Sequence, residues 1–289
     1  LGRLHEVVAL ARRITFRVVV ESAAALEALG MATRRAGIEA HAWLEVDSGH
    51  HRSGVDPEAP GSLDLARRLA AEPGVAFDGL LTHAGQSYHA RTREERAAVA
   101  ERERAVMAAF AGRLARSGVH VGDVSVGSTP AMSAVERLDA VTEIRPGNYA
   151  FYDFMQLASG VCAAADCAVT VLASVVSHQS GAGHVVVDAG ALALSKDPGP
   201  DDPALRRGFG PVLKGLAGHE LEEALAVRGM SQEHGMVGGE RPGDVAGLAV
   251  GDKLRILPNH SCLAVALFDE YHVVRGEDVV DRWPIRRAR

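Results

Sequence analysis

The chain has 289 residues, 47% of them hydrophobic and 24% charged, which is enough to bury a large core and to divide into two domains. Its formal charge is −6, from 31 Lys plus Arg against 37 Asp plus Glu, and the absence of a basic stripe argues against a nucleic-acid partner. No apolar run approaches membrane-spanning length, no start resembles a signal peptide, and the three scattered cysteines, Cys162, Cys167 and Cys262, suit a reducing cytoplasm better than a disulfide scaffold. The sequence opens at Leu1 inside a helical pattern of Leu4, Val7, Val8 and Leu10, so a truncated N-terminus is expected.

From residue 1 to about 155 strands alternate with helices. Thr15–Val20 predicts a buried strand, followed by a helix capped by Ser22 and running to Ala36. Ala42–Val46, Gly79–Thr82, Val124–Val126 and Glu143–Ile144 predict further strands, with helices over Leu63–Ala71 and Arg93–Ser117 between them. Such alternation implies parallel strands with helical crossovers, in a barrel or a doubly wound sheet. Polar and glycine-rich runs follow the strands at Asp47–Gly54, His83–Tyr88, Gly127–Pro130 and Arg145–Tyr149. Loops are often polar, but four in succession that offer Arg, His, Ser/Thr or backbone N–H groups favour an anion-binding rim.

After about residue 160 short β-rich runs appear between Gly, Pro and Asp turns: Val169–Ser177, His184–Asp188, Met236–Gly239, Lys253–Leu257 and Leu263–Phe268. They predict an antiparallel β domain, with Ser180-Gly181-Ala182-Gly183 as a hairpin turn. Pro258-Asn259-His260-Ser261-Cys262 reads as a strand end, on which His260 and Cys262 face the same way. Imidazole with thiolate suits Zn²⁺, and two ligands leave positions open for water or substrate; taken alone, the pair more often describes a buried cysteine beside a core histidine. Cys162 and Cys167 read as buried structural thiols.

Seven motifs in order carry a resemblance: Asp47-Ser48-Gly49-His50-His51-Arg52-Ser53-Gly54-Val55, Thr82-His83-Ala84-Gly85, Gly127-Ser128-Thr129-Pro130, Arg145-Pro146-Gly147-Asn148-Tyr149, Val187-Asp188-Ala189-Gly190, Glu233-His234-Gly235 and the His260-Ser261-Cys262 run. From about Thr15 to Trp283 the chain resembles the D-threonine aldolase/D-serine dehydratase family, pyridoxal-phosphate (PLP) enzymes of the alanine-racemase fold. The resemblance implies a partial PLP-binding (β/α)₈ barrel over residues 1–157, with about five of the eight strands present, and an antiparallel β domain with a metal site over 158–289. It implies a cytoplasmic homodimer acting on a small D-amino acid, with neither nucleic acid nor membrane as partner. By position, Gly127, Ser128, Thr129, Gly147 and Asn148 match the phosphate cup, Arg52 and His83 match ring-contacting residues, and Arg145 matches an arginine facing the pyridine nitrogen in the racemase relatives. Tyr88 and Tyr149 are candidates for ring or phosphate contacts or for rim packing. His234 would orient substrate, or be a surface histidine; Asp188 would support the metal or make a turn; His50 and His51 are rim residues.

His260 and Cys262 match the family's metal pair. H-x-C resembles the zinc-bearing D-serine dehydratases more than the H-x-D of the aldolase branch, where Mn²⁺ is found. The implied activity is PLP- and zinc-dependent conversion of D-serine to pyruvate and ammonia. D-threonine aldolase is the alternative, and a racemase or a non-catalytic PLP-binding protein are further ones. The family's Schiff-base lysine lies in a motif that this sequence lacks; the lysines present are Lys196, Lys214 and Lys253, and Lys196 reads as a loop residue. The polypeptide as printed is therefore expected to be inactive.

Overall fold

The computed structural model describes residues 2–287. The chain parts between Gly147 and Asn148 into two compact units. The first carries, in order, α1 (Leu4–Ala11), β1 (Arg17–Val20), α2 (Ala23–Ala36), β2 (Ala40–Glu45), α3 (Pro60–Ala71), β3 (Val75–Leu81), α4 (Arg93–Arg116), β4 (Asp123–Val126), α5 (Thr129–Met132) and β5 (Glu143–Ile144). The five strands form one parallel sheet in sequential order.

Local chemistry sets the helix ends. The Ser22 hydroxyl accepts the Ala25 N–H at 3.3 Å, and α2 stops at Gly37, whose φ of 62° is left-handed. Thr92 and Glu95 cap α4 reciprocally, fixing the start of a 24-residue helix. Register then builds the core: Val20 lies beside Leu44, Leu44 beside Leu80, and Leu80 beside Val124, all buried. The buried positions of α4, Arg96, Ala100, Glu103, Met107, Phe110 and Leu114, recur at helical spacing. A glutamate thus occupies a place on the core-facing stripe.

The second unit is built from α6 (Phe154–Ala158), β6 (Val171–Gln179), β7 (His184–Val187), α7 (Ala191–Leu194), β8 (Pro211–Leu213), β9 (Leu221–Met230), β10 (Gly235–Gly238), β11 (Lys253–Ile256), α8 (Ser261–Val265), β12 (Glu270–Arg275) and β13 (Asp278–Pro284). Six strands close an antiparallel barrel in the order β10-β7-β6-β11-β8-β9, and β12 and β13 form a separate hairpin. Val171, Ala173 and Val175 alternate into the barrel core with Val185, Val187, Val227, Val237 and Ile256. The expected hairpin turn at 180–183 joins β6 to β7. Gly190 meets the turn before β10 so closely that a Cβ there would lie 2.5 Å from the His234 nitrogen.

Three expectations are corrected. Leu263–Phe268 is not a strand: α8 occupies Ser261–Val265 and a turn follows, because alanine-rich residues behind an extended cap favour helix and Ala264 N–H closes onto the His260 carbonyl. The same helix removes the strand end on which His260 and Cys262 were placed. The division falls before residue 157, since Phe154 and Met155 donate their N–H groups to the carbonyls of Pro258 and Asn259 and so belong with the second unit.

The sheet core yields a stability prediction. Replacing Leu80, which is fully buried at the centre of the register line, with Ala should lower unfolding free energy by about 2–5 kcal/mol, measured by denaturant titration.

Candidate functional site

In the first unit the C-terminal ends of β2, β3, β4 and β5 gather most of the expected rim. After β2 the loop is closed by Val55 N–H to the Glu45 carbonyl at 2.9 Å and Asp47 N–H to the Val55 carbonyl at 3.0 Å. Asp47 also accepts the N–H groups of Gly49 at 2.8 Å and His51 at 3.0 Å, so the segment bearing His50 and Arg52 is held at both ends. Arg52, His50 and His83 line one cleft with Glu45, Val46, Asp47 and Ser53. The His50 ring stands edge-on to His83, with centroids 6.1 Å apart. His51, by contrast, points to solvent and pairs with Asp47 at 2.7 Å.

His83 Nδ1 meets the Gly127 carbonyl at 3.2 Å, so this nitrogen carries the hydrogen. Burial pushes the His83 pKa down, with Arg52 and Arg145 adding to the effect, which favours the neutral ring with its lone pair on Nε2. Gly127 has φ 119°, a conformation that glycine adopts without strain, and it turns the chain into α5. Ser128 caps α5: its Oγ accepts the Ala131 N–H at 3.3 Å and lies 2.7 Å from the Ser87 hydroxyl. Thr129 follows, buried, and Tyr88 is half-buried on the 3₁₀ turn that carries Ser87.

Arg145 donates from Nε to Ser125 Oγ at 2.7 Å and from its terminal nitrogen to the Thr82 carbonyl. Burial pushes its pKa down, against the opposing pull of Glu103, Glu143 and Glu45. Glu103 accepts the Gly127 N–H at 3.0 Å, and burial pushes its carboxyl up to about 7. The N–H of Gly127 is therefore spent inside the protein. Gly147 is exposed where this unit ends.

In the second unit His260 and Cys262 do come together, by a route other than a strand. His260 is the extended N-cap residue of α8 (φ −135°, ψ 102°) and Cys262 stands in that helix's first turn. His260 Nδ1 meets Asp197 Oδ2 at 3.2 Å, and Asp197 first, then Cys262, pushes the histidine up to about 10. His260 in turn holds the Cys262 thiol below the usual range, which favours the thiolate that binds metal. Asp197 is itself tied down, accepting the Gly199 N–H at 2.8 Å, and its carbonyl takes the Asn259 amide at 2.9 Å.

Beneath the pair, buried Asp153 accepts the Ser261 N–H at 3.0 Å and the Asn148 amide at 2.7 Å. That amide also lies 3.1 Å from Ser261 Oγ and 3.8 Å from Cys262 Sγ. The Asn148 side chain is thus committed beside the His–Cys pair, and Tyr149 next to it is exposed. Among the described residues no group of three or more His, Cys, Asp or Glu side chains could hold a metal. The pair offers an imidazole and a thiol, with the Asp197 carboxylate on the histidine's Nδ1.

Several expectations fall elsewhere. Asp188 does not support the pair, because its Oδ1 accepts the Ser174 N–H at 2.6 Å within the barrel; Asp197 has that place. Asp197 was missed because only the fold brings it to His260. His234 is exposed on the turn between β9 and β10, its carbonyl taking the Ser231 N–H at 2.8 Å. Lys196 follows α7 in a loop, Lys214 pairs with Glu220 at 3.4 Å, and Lys253 donates to Ser174 Oγ at 2.5 Å. Cys167 is buried, but Cys162 is only partly so; their sulfurs are 3.9 Å apart.

A parallel α/β sheet with an anion-suited rim, followed by an antiparallel barrel with a His–Cys pair, defines an alanine racemase-like architecture. Residues 3–153 match the family model of the alanine racemase N-terminal domain, and residues 168–274 that of the putative serine dehydratase domain. The D-threo-3-hydroxyaspartate dehydratase of Delftia sp. (strain HT23) is 39% identical over 286 residues, which cover 97% of this chain and 75% of the relative. The D-serine dehydratase of Dictyostelium discoideum is 35% identical over 250 residues, covering 82% and 62%. Two solved variants of the D-threo-3-hydroxyaspartate dehydratase superpose with TM-score 0.91 at 37% identity. They cover 98% of this chain and 74% and 76% of theirs; one replaces a histidine by alanine, and the other, in the metal-free form, a cysteine two residues further on. The chain belongs to the family of D-serine dehydratases and D-threonine aldolases.

The His260–Cys262 contact predicts reactivity. In metal-free protein Cys262 should alkylate with iodoacetamide at a lower pH than an ordinary thiol, because His260 lowers its pKa. His260→Ala should move that profile to higher pH and Zn²⁺ should protect Cys262, with peptide mass mapping to separate it from Cys162. An unchanged profile in His260→Ala would remove the contact from the account.

Proposed function

We propose that this chain carries a PLP- and zinc-dependent lyase for D-β-hydroxy amino acids, of the D-serine dehydratase type, which turns D-serine into pyruvate and ammonia. The observation that carries the reading is His260, bonded to Asp197 at 3.2 Å, as the N-cap residue of the helix whose first turn bears Cys262. A thiolate in place of a second carboxylate favours zinc over harder cations. The residues fit both groups: the Gly127–Thr129 turn stands near Arg145 and His83, and the Cys262 thiolate is favoured, while His260 gives up a proton when a metal binds. Bound there, PLP would supply an electron sink for the substrate α-carbon and zinc a Lewis acid for the β-hydroxyl.

Ser128 and Thr129, on the turn that Gly127 shapes, hold the phosphate in this reading, with Gly147 and the backbone of Asn148, whose amide is already spent on Asp153 and Ser261, and Arg52 contacts the ring. His83, held by the Gly127 carbonyl, packs on the ring with a neutral face. Arg145, tethered to Thr82 and Ser125, supplies a fixed cation. Tyr88 and Tyr149 contact ring or phosphate, and His234 orients substrate from its turn. Asp197 keeps His260 Nε2 free to bind the metal, and Asp153 secures the helix turn that presents Cys262. The eight-stranded barrel and the homodimer belong to the same reading.

Because Lys196, Lys214 and Lys253 lie outside the family's lysine motif, the test uses the complete reading frame that contains this chain, purified with PLP and Zn²⁺. D-Serine, D-threonine and D-threo-3-hydroxyaspartate are supplied, and 2-oxo acid is assayed beside glycine plus aldehyde, with and without EDTA. EDTA-sensitive 2-oxo acid is the expected outcome. Glycine with aldehyde would replace dehydration by retro-aldol cleavage, and PLP bound with no turnover would overturn the lyase reading.

A further inference from the structure

Glu103 is a carboxyl in an apolar place. It is 0% exposed on the core-facing stripe of α4, between Ala100 and Met107. The alanines nearby, Ala84, Ala100 and Ala131, pack as one small cluster. Burying a carboxyl costs free energy unless hydrogen bonds or an opposite charge offset it. One oxygen, Oε1, accepts the Gly127 N–H at 3.0 Å; Oε2 makes no hydrogen bond within 3.5 Å among the described residues, and the Ala84 N–H acts on the carboxyl alongside that of Gly127. The charged and titratable groups that act on it or on its partners are Arg145 from the end of β5 and His83 from the end of β3, with Glu143 and Glu45 acting on Arg145, and Arg52 and His50 on His83.

Gly127 sits at φ 119°, where no side chain restrains the two peptide planes that meet at its α-carbon. Something outside the residue must set them. Glu103 holds the N–H side together with the Arg145 N–H, which donates to the Val126 carbonyl of the same peptide at 2.9 Å, and the carbonyl side faces His83 Nδ1 at 3.2 Å. A carbonyl only accepts, so its orientation dictates which histidine nitrogen bears the hydrogen.

We propose that Glu103 is a positioning residue for the rim: by holding the Gly127 N–H it aims the Gly127 carbonyl, fixes His83 as the Nδ1–H tautomer with Nε2 free, and keeps the turn into α5 shaped for an anion. The role in cofactor binding rests on the reading of this rim as the PLP site; the effect on His83 does not.

The test records the His83 imidazole nitrogen signals by ¹⁵N NMR, assigned with His83→Gln, in the parent, Glu103→Gln and Glu103→Ala proteins. PLP affinity is measured in parallel by fluorescence. The glutamine keeps an acceptor oxygen and should preserve the Nδ1–H signature. The alanine should lose it and bind PLP about 10–100-fold more weakly, as follows from leaving the buried Gly127 N–H without its acceptor. Glu103→Met, which fills the space without an acceptor, replaces the alanine if that variant does not fold. An unchanged tautomer in the alanine or methionine protein overturns the proposal, as does a glutamine protein that behaves like the alanine one. If His83 responds but no version binds PLP, the positioning role stands and the cofactor reading fails.

Discussion

Parallel strands cannot be joined by a tight turn, and everything useful in the first unit follows from that constraint. Each strand must send the chain back through a crossover before the next one begins. The polypeptide therefore leaves β2, β3 and β4 at the same end of the sheet, into loops that need not pack as core. The register line from Val20 to Val124 holds those ends level. Arg52, His83, Gly127 and Arg145 come from loops far apart in sequence, and the sheet makes them neighbours. Their proximity depends on the apolar pairing below them rather than on any affinity among themselves, since three of the four are cationic or can become so.

The second unit solves the opposite problem. A closed antiparallel barrel has no free sheet edge to offer, and its chemistry gathers where the chain leaves β11 and meets Asp197 from the long connection between β7 and β8. There Pro258 and Asn259 are pinned by backbone and amide hydrogen bonds, His260 stays extended, and the helix begins at once. An extended residue followed by a helical turn brings side chains two positions apart onto one another, as a strand would, but leaves the first N–H groups of the helix available to Asp153. A buried carboxylate thus secures this turn from behind through Ser261 and Asn148, without a hydrogen bond to the side chain of His260 or Cys262.

What could be read in advance was whatever has a local cause. The Ser22 cap, the strand–helix alternation to Ile144 and the turn at 180–183 each depend on a few adjacent residues and an apolar period, and the structure has them. Elements with non-local causes were hidden. β9 reads Leu-Glu-Glu-Ala-Leu-Ala, a helix-forming composition that the barrel overrides by pairing it with β8 and β10. The hairpin of β12 and β13 had a visible signal in Val273-Val274-Arg275-Gly276-Glu277-Asp278-Val279-Val280, and Gly276 turns it at φ 63°. His260 and Cys262 were legible because they are close in sequence and chemically unusual. Asp197 and Glu103 were not, because an aspartate in a loop and a glutamate in a charged helix look ordinary until the fold buries them against a distant partner.

The approach of Gly190 to the 231–234 turn has a bearing on how this surface can vary. The gap between the two segments is smaller than a methyl group, since an added Cβ would come within 2.5 Å of the His234 nitrogen and 2.6 Å of the Gln232 carbonyl. Two stretches more than forty residues apart are thereby locked as one piece of backbone. The turn that carries His234 inherits the rigidity of the barrel strand β7 even though its side chain stands in solvent. Sequence drift at position 190 has no small first step: the smallest side chain already demands that the opposite loop be rebuilt.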